Sequence, residues 1–117
     1  MLITNLNLTN YRSYSTLDLE LTGGVSVFIG KNGEGKTNIA ESILYLTFLN
    51  SHRASGNTPL IKLGNQAAYI RAKVKYPERE ILVELEINAL HNSKYFFLAS
   101  NWILIYFCSV SFFCINF

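Results

Sequence analysis

The chain has 117 residues and a net charge of +2, which leaves room for one domain or part of one and excludes the strongly basic balance of a dedicated nucleic-acid binder. Its two cysteines, Cys108 and Cys114, fit no zinc or redox spacing and exclude a disulfide scaffold. The opening Met1-Leu2-Ile3-Thr4-Asn5 has neither the basic nor the apolar region of a secretory signal, which predicts a cytoplasmic location.

Leu6 and Leu8 alternate with Asn5, Asn7 and Thr9 at the period of a half-buried strand. After the polar stretch 10–15, Leu17, Leu19 and Leu21 alternate with Asp18 and Glu20, and Gly23-Gly24 turns the chain into Val25-Ser26-Val27-Phe28-Ile29. That run is apolar at nearly every position, the pattern of a central strand covered on both faces, so a third strand is predicted there.

Between Lys36 and Asn50 the residues Ile39, Ala40, Ile43, Leu44, Leu46 and Phe48 recur at helical spacing. The pattern predicts a helix with these on its core face and Asn38, Glu41 and Ser42 opposite. Residues 51–59 read as an exposed connector and 60–63 as a short apolar turn. Ala68, Ile70, Ala72, Val74 and Tyr76, then Ile81, Val83, Leu85 and Ile87, alternate with polar neighbours around the turn Pro77-Glu78-Arg79. This predicts a hairpin with one apolar face. Its outer face sets Arg71, Lys73 and Lys75 against Glu80, Glu84 and Glu86, and such cross-strand pairs contribute about 0.2–1 kcal/mol each.

Composition changes abruptly at Ala89: all 18 acidic and basic residues except Lys94 precede it. From Tyr95 onward 18 of 23 residues are apolar, long enough for a bilayer-spanning helix, yet no sustained helical or strand period runs through them. The chain therefore divides into 1–88 and an apolar, aromatic-rich tail, 89–117. Out-of-frame or read-through sequence accounts for the tail's composition, and a membrane anchor is the alternative. Exposed sheet edges beside such a tail predict aggregation unless it enters a membrane.

Gly30-Lys31-Asn32-Gly33-Glu34-Gly35-Lys36-Thr37 matches G-x-x-x-x-G-K-[ST], with an apolar run before it and a helical pattern after. Glycines allow the backbone N–H groups to converge on phosphate oxygens, and the start of the helix adds unpaired amides and a positive dipole end. Lys36 is placed to reach the β- and γ-phosphates, and the Thr37 hydroxyl to bind Mg²⁺. From spacing alone Arg12 could approach bound phosphate and the pair His52-Arg53 could touch nucleotide or DNA phosphate, but a solvated surface charge is the default reading of each. Glu84 ends an apolar run as a metal-supporting acid would, but the hairpin alternation assigns it to the charged outer face instead.

The opening Ile3-Thr4-Asn5-Leu6-Asn7-Leu8-Thr9-Asn10-Tyr11-Arg12-Ser13-Tyr14, the glycine loop with Asn38, and Ser51-His52-Arg53 together resemble the N-terminus of the RecF family. These are DNA replication and repair proteins whose ATPase head is similar to those of SMC and ABC proteins. The likeness covers 1–88, and the tail has no counterpart. The resemblance implies an α/β fold: the N-terminal part of an SMC/ABC-type P-loop ATPase head with an antiparallel β-hairpin subdomain. It implies ATP and Mg²⁺ held by Gly30, Lys31, Asn32, Gly33, Glu34, Gly35, Lys36, Thr37 and Asn38, with Arg12 added as a nucleotide contact. It further implies a parent acting on single-stranded and gapped duplex DNA in replication, recombinational repair and the SOS response, with RecO and RecR as partners and an ATP-dependent homodimer as the working form. The Walker B acids and signature segment that complete a family site have no match here, so the resemblance implies nucleotide binding without hydrolysis. A fragment of another SMC- or ABC-like ATPase and a tail-anchored nucleotide-binding protein remain as alternatives.

Overall fold

The computed structural model describes residues 2–48, 56–90, 94–99 and 102–107. Strands β1 (Leu2–Tyr11) and β2 (Tyr14–Glu20) form the first hairpin, in the register Leu6↔Leu19 and Leu8↔Leu17. Strand β3 (Ala67–Lys75) takes the other edge of β1, followed outward by β4 (Glu80–Asn88), β5 (Lys94–Ala99) and β6 (Trp102–Phe107). The sheet order is β2-β1-β3-β4-β5-β6, and every neighbouring pair is antiparallel.

Period-two alternation gives this sheet one apolar face. Leu6 and Leu8 of β1, Ala68, Ile70, Ala72 and Val74 of β3, and Val83, Leu85 and Ile87 of β4 are all buried there. Helix α1 (Lys36–Phe48) contributes Ile39 and Tyr45 to the same core, and the 3₁₀ turn Thr58–Leu60 adds Leu60 and then Ile61. Ile61 bridges to Tyr11, which fastens the end of β1 to the segment after the helix.

The outer face follows the expected charge pattern in part. Arg71 sits opposite Glu84 and binds it at 2.5 Å, and Lys75 faces Glu80. Lys73 faces Leu82 and Glu86 faces Tyr69, so the three basic residues are not all met by acids. Glu84 is thus held on the outer face, away from any metal-supporting role.

The run 25–29 departs from expectation. It forms no strand, and Val25, Val27 and Ile29 are 93, 74 and 91% exposed. Apolar density expresses a demand for cover on two faces, but a strand also needs a hydrogen-bonded neighbour, and none of the six strands takes this run as one.

The helix is turned from its expected orientation. Glu41 and Ser42, placed opposite the core by the hydrophobic pattern, are buried, whereas Ala40 and Leu44 are exposed. Two polar contacts account for the rotation: Arg12 neutralises the Glu41 carboxylate, and the Ser42 hydroxyl donates to the Ile39 carbonyl at 2.7 Å.

The sheet also runs across the composition break at Ala89, since β5 pairs with β4 in the register Leu82↔Leu98 and Leu85↔Tyr95. Aromatic and β-branched residues suit such strands. Among the described residues no helix is long and apolar enough to cross a membrane. Cys108, Cys114 and the pair His52-Arg53 lie outside the described residues.

Candidate nucleotide-binding loop

The loop at 30–37 leaves the exposed run 25–29 and ends in the first turn of α1. Gly33 and Gly35 have φ of +86° and +94°, which L side chains rarely adopt. Asn38 and Ile39 both donate their backbone N–H to the Gly35 carbonyl, at 3.0 and 3.2 Å, and so start the helix on that residue. The backbone N–H groups of Gly33, Gly35, Lys36 and Thr37 make no hydrogen bond among the described residues. Unpaired donors at a helix start form an anion site, favoured further by the helix dipole.

Lys36 folds back over the loop, its Nζ donating to the carbonyls of Gly30 at 2.5 Å and Lys31 at 2.6 Å. This keeps a positive charge at the rim of the amide cluster. Glu34 accepts the Lys31 N–H at 2.8 Å through Oε2, so a carboxylate already occupies one amide of the loop. Thr37 is exposed in the first helical turn, where its hydroxyl is accessible to a cation. The donors, the lysine and the hydroxyl suit a polyphosphate with a divalent cation.

Arg12 belongs to the β1–β2 turn, where it has a φ of +51°. Its Nε and Nη2 bind the two Glu41 carboxylate oxygens at 3.0 and 2.7 Å, and Nη1 donates to the Pro59 carbonyl at 3.1 Å. The structure thus ties Arg12 to the second turn of α1 and to the segment after the helix. Neighbouring Tyr11 is buried beside the Arg12–Glu41 pair, and among the described residues its hydroxyl makes no hydrogen bond of ordinary geometry. Burial, then the Glu41 charge, pushes its phenol above the ordinary value of 10.0.

Sequence reasoning missed Ser13, Tyr14 and Glu41 as neighbours of the site. Asn38 Nδ2 donates to Ser13 Oγ at 3.3 Å, and the Tyr14 ring lies against Gly35 with its hydroxyl 3.4 Å from the Glu34 carbonyl. The position of Glu41, four residues after Thr37 on α1, is the signal that could have marked it.

A model of the AAA ATPase domain matches residues 1–107. The chain belongs to that ATPase family. It is 48% identical over 88 residues to the DNA replication and repair protein RecF of Streptomyces avermitilis, covering 75% of this chain and 24% of that protein. With RecF of Paenarthrobacter aurescens it shares 49% identity over 89 residues, 76% of this chain and 22% of the relative. A solved structure described as the recombination mediator protein RecF-ATPrS in the RecFOR pathway superposes with a TM-score of 0.75 at 26% identity, over 82% of this chain and 26% of that one. The chain therefore has a RecF-like N-terminal P-loop ATPase fold and spans about a quarter of the length of the relatives it matches.

Proposed function

We propose that this chain binds ATP with Mg²⁺ through residues 30–38 and does not turn it over. The unpaired amides of Gly33, Gly35, Lys36 and Thr37, with the Lys36 ammonium at their rim, carry this reading. In it Gly30, Lys31, Asn32 and Glu34 shape the loop, Lys36 meets the β- and γ-phosphates, Thr37 contacts the cation, and Asn38 continues the helix start. Arg12 stands at the flank, offering a nucleotide the N–H groups that Glu41 and Pro59 leave over.

Magnesium supplies charge neutralisation on the phosphates when bound. Hydrolysis also needs acids that hold the metal and orient a water, and the sequence has no match to the Walker B acids or the signature segment that supply them in the family. Glu84, the one acid ending an apolar run, is bound to Arg71.

By the family relationship we extend the reading to a RecF-type role: a longer parent that binds single-stranded and gapped duplex DNA in replication, recombinational repair and the SOS response, works with RecO and RecR, pairs as an ATP-dependent homodimer, and acts in the cytoplasm. On the outer face of the described sheet Arg71 lies between Asn7 and Glu84, and Lys73 between Asn5 and Leu82, so these two cations are not joined across the strands into a basic stripe for DNA.

Equilibrium titration with a fluorescent ATP analogue and Mg²⁺ tests the binding. Saturable binding by the wild-type chain and none by Lys36→Ala is the expected result, with no phosphate released over hours. Equal affinity of the two proteins would remove the loop from the account.

A further inference from the structure

We infer that the tripeptide Arg12-Ser13-Tyr14 is a template that holds the phosphate loop in its binding shape before any nucleotide arrives, with Tyr14 as the principal positioning residue. The inference rests on the nucleotide reading above and adds residues outside the glycine loop to that site.

Two turn residues and the first residue of β2 meet three loop and helix residues spaced by three. Arg12 binds Glu41, Ser13 accepts from Asn38, and Tyr14 lies on Gly35. Positions 35, 38 and 41 fall on one side of the helix start, so the turn runs along it in the opposite direction. A brace of this form fixes both the rotation of α1 and the residue at which it begins.

The contact at Gly35 is the tightest. A Cβ placed there would come within 2.6 Å of the Tyr14 hydroxyl and 2.8 Å of its Cζ. Glycine at 35 is therefore required twice, by its φ of +94° and by the ring above it. The ring in turn limits the alternative backbone states of Gly35, the most permissive residue type. Arg12 holds a left-handed conformation uncommon for its type, a cost met locally by its donation to the Leu60 carbonyl at 2.8 Å and by the Glu41 pair. Strain retained beside a loop of unpaired amides points to a turn shaped for that loop.

Without the ring, nucleotide would have to order Gly35 at the moment of binding. Fixing one residue's backbone corresponds to an affinity loss of about tenfold. The test uses Tyr14→Leu, which keeps an apolar body in the core, and Tyr14→Phe, which keeps the ring. Two quantities are measured: affinity for Mg²⁺ with the ATP analogue, and, in the nucleotide-free protein, exchange of the Asn38 and Ile39 backbone amides, which donate to the Gly35 carbonyl.

The expected result is about tenfold weaker binding and faster exchange at those amides for Tyr14→Leu. Tyr14→Phe should stay within about twofold, because the hydroxyl gives only a long contact to Glu34. Unchanged exchange in Tyr14→Leu, or equal losses in the two variants, would overturn the template. If Lys36→Ala loses binding while Tyr14→Leu keeps it, the template fails and the nucleotide reading stands. If the wild-type chain binds no nucleotide, that reading fails, and the exchange rates still decide whether Tyr14 orders the loop.

Discussion

Arg12 and Glu41 show how one ion pair can set the course of an element. Glu41 is 5% exposed at its side chain and Arg12 17%, so each leaves most of its hydration behind. Removing one partner from such a pair leaves an uncompensated charge and costs about 3–5 kcal/mol. Arg12→Ala is expected to lose stability in that range by urea unfolding, and Glu41→Gln to lose less, since an amide still accepts one of the two hydrogen bonds. A loss below about 0.5 kcal/mol for Arg12→Ala would place the pair among weak surface bridges.

Tyr11 beside them has the opposite character, a buried hydroxyl that makes no hydrogen bond of ordinary geometry among the described residues. An unsatisfied buried group costs about 1–3 kcal/mol, so Tyr11→Phe should leave the protein as stable as before or more so. The phenol's pKa is raised in the folded state above 10.0, and the folded state therefore holds this proton more tightly than the unfolded chain does. Its contribution to stability is complete below pH 10 and declines as pH rises beyond that value. Thermal melts at rising alkaline pH should show that decline in the wild type and a smaller one in Tyr11→Phe.

At the scale of elements, strands β1 and β2, the β3–β4 hairpin and the glycine-rich turn before α1 were legible because each is encoded locally, whereas the pairing of β1 with β2 was not foreseen. Alternation places Leu6, Leu8, Ile70 and Leu85 on one face without reference to the rest of the chain, and the glycine spacing fixes the loop. The helix was legible as a helix but not in its rotation. Ile39, Ala40, Ile43 and Leu44 span a broad apolar arc, and what chooses between its sides is Arg12, from a distant turn. The run 25–29 failed as a strand for a related reason: its apolar residues state a need for neighbours without supplying them. Substitution separates these cases. Leu85→Ala, in the packed face, should cost about 2–5 kcal/mol, whereas Val27→Ala, at 74% exposure, should change stability by less than about 0.5 kcal/mol. Similar costs at both sites by urea unfolding would show that residue 27 is covered in solution.

Across the whole molecule, the exposed run 25–29 and the outward Ala40 and Leu44 lie on either side of the phosphate loop. The RecF relatives are far longer, this chain matching 24% of one and 22% of another. Apolar residues on both sides of the loop in sequence are thus left uncovered among the described residues, while the loop's own hydrogen bonds are already in place. That combination sets the central claim: the phosphate cradle is formed within these residues, independently of the machinery for hydrolysis. The direct measurement is a ¹⁵N amide titration of the chain with MgATP. Saturable shifts at Gly33, Gly35, Lys36 and Thr37, absent in Lys36→Ala, are expected. A titration that leaves these four amides unmoved would contradict the account.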